Sequence, residues 1–278
     1  MSVIPVFPAQ CVESRMNSIV RDRLKSIHSA LAERRPLTGA WLFMGCPIAT
    51  EVMAHGAFDF LILDTEHAPG SKETLYHQIR ACDAAGMPVI VRLPTTDHHR
   101  VITALDAGAS GVAVANVRYP EQVVELVRSV RYAPEGERGT HRLARAANYG
   151  LGWPNYFAEI APNLLTIALI ETAEGVNSAE AICAVDGLDA VFIGEVDLAA
   201  SLGKLDKPDH PDVTSAKQRI VDAARAAGVA IGGLATGEAA SECLFEAGYS
   251  ISTIGSDLAW LRDRVAQVKP RKPAWVEA

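Results

Sequence analysis

Along the chain, a helix-like stretch repeatedly closes on a small residue and a glycine, and a short, continuously apolar run follows almost at once. The junction occurs in HGAFDFLILD (55–64), AAGMPVIVRL (84–93), DAGASGVAVA (106–115), VDGLDAVFIG (185–194), AAGVAIGGL (226–234) and EAGYSISTIG (246–255). Each glycine suits a left-handed helix cap, because glycine takes positive φ without a Cβ penalty. Each apolar run has the composition of a strand buried on both faces. GAWLFM (39–44) and NLLTIALIE (163–171) complete a set of eight candidate strands. Helical stretches separate them, as an alternating β/α architecture requires.

The intervening segments carry the matching helical period. In PEQVVELVRSVR (120–131), Pro120 suits a first helical turn, and Val123, Val127 and Val130 recur on one face opposite Glu121, Glu125 and Arg128. Over 214–227, Ile220, Ala223, Ala224 and Ala227 form an inward stripe. Eight β/α units with no glycine-rich dinucleotide fingerprint after the first strand predict closure into a (β/α)8 TIM barrel of the α/β class, rather than an open doubly wound sheet. Residues 1–278 therefore read as a single barrel domain, with 1–36 as an N-terminal extension and 259–278 as a C-terminal helix and tail. Within the extension, VRDRLKSIHSALAER reads as an extra amphipathic helix placed to cap the barrel bottom. The span 132–162 is too long and glycine-rich for a simple connector, a pattern typical of functional or interface loops.

Composition narrows the function classes. The chain is 49% hydrophobic and 21% charged, enough apolar material for a large core in a soluble protein. A net charge of −7 and the lack of any Lys/Arg block argue against nucleic acid or an anionic membrane as partner. The five cysteines, at 11, 46, 82, 183 and 243, include no C-x-x-C pair and read as reduced structural thiols. The start, MSVIPVFPAQCVESR, lacks a basic segment followed by a long apolar one, so a cytoplasmic location is expected.

Active sites of such barrels gather at the C-terminal ends of the strands, so the polar residues placed there are the candidates. The second strand runs into Asp64, Thr65, Glu66 and His67; the third ends at Arg92; the fifth ends at Glu171; the sixth runs into Glu195 and Asp197. Glu171 and Asp197 come from neighbouring strands, and two carboxylates with water and substrate in the remaining positions suit Mg²⁺, Mn²⁺ or Co²⁺. Either acid alone would more simply pair with a nearby cation. His67 is one of eight histidines, and its distinction is the company of Asp64, whose carboxylate is expected to orient the imidazole. Arg92, if not a plain salt-bridge partner, is suited to hold a carboxylate or a developing enolate oxygen.

The motifs DTEHAPG (64–70), IVRLP (90–94), RYAPEGERG (131–139), IET (170–172) and VFIGEVDLAASLG (191–203) resemble, in that order, those of the HpcH/HpaI aldolase family. The resemblance covers about residues 36–258 and is to the metal-dependent branch acting on 4-hydroxy-2-oxoheptanedioate and 2-keto-3-deoxy-sugar acids. It implies a class II pyruvate aldolase, a carbon–carbon lyase that cleaves a 4-hydroxy-2-oxo acid to pyruvate and an aldehyde. The implied roles are metal ligation by Glu171 and Asp197, proton movement by His67 with Asp64, and enolate binding by Arg92. Gly194, Glu195 and Leu169 would lie against the substrate, and the aldehyde would pass the 132–162 loop near Arg138. No Schiff-base lysine is needed, since LILD, VIVR and ALIE offer none at a strand end. A homo-oligomer, a hexamer exchanging C-terminal helices, is implied as well.

Three departures touch the acceptor pocket. Glu195 stands where the family commonly has proline, Leu169 where it often has glutamine, and Ala115–Asn116 replaces a proline-containing turn. Glu195 either adds negative charge beside the metal or points outward. Two other readings stay open: decarboxylation of oxaloacetate through the same enolate, and a non-catalytic small-molecule-binding barrel.

Overall fold

The computed structural model describes residues 15–268. Eight parallel strands close on themselves in sequence order, β1 (Leu37–Leu42), β2 (Phe60–Asp64), β3 (Val89–Leu93), β4 (Gly111–Val114), β5 (Leu165–Ile170), β6 (Ala190–Ile193), β7 (Ala230–Leu234) and β8 (Ile251–Ser256). The closing seam pairs Leu37 with Ile251 and Thr38 with Ser252. The outer helices are α2 (Pro47–Ala54), α3 (Lys72–Ala84), α4 (His98–Ala107), α5 (Pro120–Val130), α6 (Trp153–Asn155), α7 (Ala173–Asn177), α8 (Ala179–Cys183), α9 (Glu195–Ser201), α10 (Pro211–Ala227), α11 (Glu238–Glu246) and α12 (Asp257–Ala266). Ahead of the barrel, α1 (Arg15–Ala32) is the expected extra helix. The first fourteen and last ten residues, Cys11 among them, lie outside the described residues.

The barrel is a packed core in which small residues face large ones. A Cβ at Gly39 would stand 2.5 Å from the Phe60 ring, one at Gly111 2.6 Å from the Leu165 Cβ, and one at Gly232 2.4 Å from the Phe192 ring. Trp41 packs edge-on against Phe192, 5.8 Å between centroids, and its Nε1 donates to Thr253 Oγ1 at 2.9 Å. Because residues two apart on a strand share a face, this packing decides what points into the mouth. Phe60 leads through Ile62 to Asp64, Ile90 to Arg92, Leu165 through Leu169 to Glu171, and Phe192 to Gly194.

Five of the six junction glycines take the expected positive φ: Gly86 (+67°), Gly108 (+105°), Gly187 (+87°), Gly228 (+76°) and Gly248 (+91°). Gly56 does not; it is close quarters that a side chain could not share, since a Cβ there would stand 2.5 Å from the Phe58 ring. The stripe on α10 holds at Ile220, Ala223 and Ala224, but Ala227 is exposed at the helix end and Val213, Ala216 and Val221 are buried instead.

α1 lies across the N-terminal ends of the strands. Leu24, Ile27 and Ala30 are buried, and the His28 Nε2 is 2.7 Å from the Asn163 carbonyl oxygen, just before β5. The 132–162 segment lies on this same face. Arg131 donates to the carbonyls of Ala161 and Leu164 at 3.3 and 3.1 Å. Arg145 reaches the C-terminal ends of α3 and α4, pairing with Asp83 at 2.6 Å and donating to the Ala107 carbonyl at 2.7 Å. The expectation that this loop borders the aldehyde's route is corrected: it joins a helix end to a strand start, which puts it at the opposite end of its own barrel from the strands' C-terminal mouth. Arg138 is correspondingly buried there, paired with Asp106 at 2.8 Å and stacked on Tyr132 at 4.7 Å.

Candidate active site

The mouth is built on the β2 and β3 ends. Asp64 and Arg92 are register partners across these strands, and Arg92 Nε donates to Asp64 Oδ1 at 2.7 Å with both side chains nearly inaccessible. The guanidinium lies over the Trp41 ring at 4.8 Å and the Phe43 ring at 5.8 Å, so aromatic faces below and a carboxylate beside it hold its plane. Nη1 approaches Glu66 Oε2 at 3.4 Å.

Asp64 does not orient His67 through its imidazole. Its carboxylate also accepts the backbone N–H groups of Glu66 at 3.0 Å, His67 at 2.9 Å and Ala68 at 3.1 Å, tying the DTEHA turn to the barrel. Four donors leave no room for a ring nitrogen. Burial by itself pushes the Asp64 carboxyl up, but the Arg92 hydrogen bond and charge, with the Glu66 and His67 amides, prevail and hold it below the ordinary range. The His67 side chain is largely exposed, and the carboxylate near it is Glu66, with Oε2 3.8 Å from His67 Nε2. Sequence reasoning placed Glu66 at the strand end without a role.

Glu171 follows β5 and is buried. Its Oε1 accepts the Asn116 N–H at 2.6 Å. Its Oε2 occupies space that a Cβ at residue 194 would claim, 2.4 Å away, so only glycine at the end of β6 lets the carboxylate stand there. Burial chiefly, and then the charges of Asp197 and Glu66, raise the Glu171 carboxyl to about 7 against the opposing pull of the Asn116 amide and Arg92. Asp197 sits in the first turn of α9 rather than on the strand, and it is exposed. Among the described residues no three His, Cys, Asp or Glu side chains are arranged to hold a metal by themselves. Glu171 and Asp197 are the pair that could hold one, with the remaining positions left to water and substrate.

Glu195 turns away from this pair. Its Oε1 accepts from Lys217 Nζ of α10 at 3.0 Å, both side chains partly buried, so its charge is matched outside the mouth. Leu169 is buried below Glu171, with its carbonyl accepting the Val117 N–H at 3.0 Å. Lys217 is thereby engaged, and no lysine ends a strand among the described residues.

The sequence profile of the HpcH/HpaI aldolase/citrate lyase family matches residues 37–263, from the first strand into the last helix. The chain belongs to this family. Among its relatives in the family, a hydroxypyruvate/pyruvate aldolase of Paraburkholderia phytofirmans is 37% identical over 84% of this chain and 92% of its own length. A 5-keto-4-deoxy-D-glucarate aldolase of Salmonella paratyphi C is 37% identical over 88% of this chain and 94% of its own. A crystal structure of a family protein from Burkholderia cenocepacia superposes with a TM-score of 0.82 at 37% identity, covering 87% of this chain and 96% of that one. These findings bear out the resemblance and the barrel read from the sequence.

Proposed function

We propose that this chain is a divalent-metal-dependent pyruvate aldolase that cleaves a 4-hydroxy-2-oxo acid to pyruvate and an aldehyde, and runs the reaction in reverse. The observation that carries the reading is Glu171: a carboxylate buried in the barrel mouth, clamped between the Asn116 amide and Gly194 and crowded by Asp197 and Glu66. A carboxylate whose charge is disfavoured by burial and by like neighbours fits a bound cation, which relieves both costs. The fit supports Glu171 and Asp197 as the ligands. When bound, the cation would supply Lewis-acid polarisation of the 2-oxo acid's carbonyl.

The chain's own residues account for the rest. Arg92, fixed by Asp64 and Trp41, holds the oxygen at C2 on which negative charge develops. His67 Nε2, near Glu66, takes the proton from the 4-hydroxyl. As the C3–C4 bond breaks, its electron pair moves to C3–C2 and the C2 oxygen, giving the pyruvate enolate and the free aldehyde; the proton held on His67 is then returned at C3, which becomes the methyl group. Asp64 moves no proton in this scheme, because its lone pairs are spent on Arg92 and the turn. Gly194 and Leu169 shape the wall beside Glu171. Glu195 contributes through Lys217 rather than through the substrate.

The same reading includes a cytoplasmic homo-oligomer. Among the described residues no helix is long and apolar enough to cross a membrane. Ile48 and Val52 on α2 and Leu258, Leu261 and Val265 on α12 are exposed apolar residues of neighbouring helices, which supports association of copies. The deciding experiment measures pyruvate release from a panel of 4-hydroxy-2-oxo acids and oxaloacetate, with chelator and with added Mg²⁺, Mn²⁺ or Co²⁺. Metal-dependent release from the hydroxy acids is expected. Release from oxaloacetate alone would assign a decarboxylase, and no release with any metal would overturn the pyruvate-lyase reading.

A further inference from the structure

We infer that Asn116 is a positioning residue: its left-handed backbone aims its own N–H at Glu171 Oε1 and so fixes the orientation in which that carboxylate meets a cation. The inference rests on the proposed metal reading and adds to it the device that sets the ligand's geometry.

The backbone around Asn116 reverses its hydrogen bonding within two residues. Ala115 donates to the Leu93 carbonyl at the end of β3, at 2.9 Å, whereas Val117 donates to the Leu169 carbonyl of β5, at 3.0 Å. In an uninterrupted strand, residues two apart send their N–H groups to the same neighbour. The switch is made at Asn116, whose φ is +55°. Its N–H, freed from either ladder, meets Glu171 Oε1 at 2.6 Å.

The residue type suits the task. Asparagine and glycine adopt positive φ at little cost, whereas β-branched residues resist it. The turn is also strapped from outside. Arg118 Nε donates to Asn116 Oδ1 at 3.0 Å, and Gln122 Oε1 accepts the N–H groups of Arg118 and Tyr119 at 2.8 and 3.1 Å. With Oε1 held by the amide and Oε2 seated against Gly194, the carboxylate cannot rotate freely. Groups that hold a metal ligand in this way typically change metal affinity about 10–100-fold when removed.

The test is Mn²⁺ binding, followed by titration calorimetry and by loss of the free-ion paramagnetic resonance signal, in wild type, Glu171→Gln, Asn116→Val, Asn116→Ala and Asn116→Gly, each checked for folding by thermal melt. Glu171→Gln should abolish binding. Asn116→Val should weaken it about 10–100-fold, Asn116→Ala should weaken it less, and Asn116→Gly, which keeps the backbone shape, should restore it to within about threefold. If Asn116→Val is misfolded, the comparison of Asn116→Ala with Asn116→Gly decides. Wild-type binding that is lost in Glu171→Gln but equal in all Asn116 variants overturns the positioning role alone, as does Asn116→Gly binding as weakly as Asn116→Ala. Absence of Mn²⁺ binding by wild type, or full binding by Glu171→Gln, overturns the metal reading and this inference with it.

Discussion

Asp64 and Arg92 meet in register across β2 and β3, 2.7 Å from Oδ1 to Nε, and the same carboxylate gathers three backbone amides of the turn that carries Glu66 and His67. One buried acid thus fixes both a guanidinium and a loop at the barrel mouth. Removing it leaves a buried cation with only the longer, 3.4 Å contact to Glu66.

Asp64→Ala should therefore lower unfolding stability by about 3–5 kcal/mol in urea titrations. Acid sensitivity follows from the same pair. Because the folded carboxyl is held below its unfolded value, its contribution is complete above about pH 4 and is lost as the pH falls through the lowered folded value. Wild type should lose stability more steeply than Asp64→Asn below about pH 4; parallel curves would show that the pair contributes nothing.

Gly194→Ala places a methyl group 2.4 Å from Glu171 Oε2. The variant should keep its fold, since the glycine borders the open mouth, and should lose Mn²⁺-induced thermal stabilisation together with pyruvate release. Retention of the wild-type thermal shift would mean that the oxygen facing residue 194 is not the ligating one.

The His67 side chain is 64% exposed, so truncation should cost little stability, within about 0.5 kcal/mol. His67→Ala should bind Mn²⁺ as wild type does and slow retro-aldol turnover by about 10²–10⁴-fold, the usual range for a general acid–base group. An unchanged kcat would remove the imidazole from the proton path.

Glu195 separates a charge effect from a packing effect. Since it is paired with Lys217 at 3.0 Å, Glu195→Gln should change Mn²⁺ affinity by less than the about 10-fold that loss of a ligand-holding group costs at the least. A larger change would place its charge in the metal's field after all.

The architecture was legible because it is written in local terms. Glycine punctuation, continuous apolar runs and helical stripes at Val123 and Ile220 depend on neighbours a few residues away, and eight apolar runs with helical stretches between them imply closure. Strand ends then name the mouth: Asp64, Arg92, Glu171 and Gly194 follow by parity from Phe60, Ile90, Leu165 and Phe192. The side of the barrel taken by 132–162 was also implicit in its place between a helix and a strand. Reading it as the aldehyde's border rested on its length and glycines, and connectivity outweighs both.

Pairing was not legible. His67 is three residues from Asp64 in the chain, yet the carboxylate selects Arg92, 28 residues on, because closing β2 against β3 brings that guanidinium alongside and the turn presents His67's amide rather than its ring. Glu195 could equally have stood beside a metal or pointed outward until α10 supplied Lys217. Asn116 drew attention only as a missing proline, whereas its positive φ and its hold on Glu171 exist only once β4 and β5 lie side by side. The sequence by itself determined which side chains arrive at the mouth, because periodicity and alternation are properties of one segment at a time. Tertiary structure alone decided which of them spend their hydrogen bonds on one another, because those bonds form between segments that only the closed barrel brings within reach.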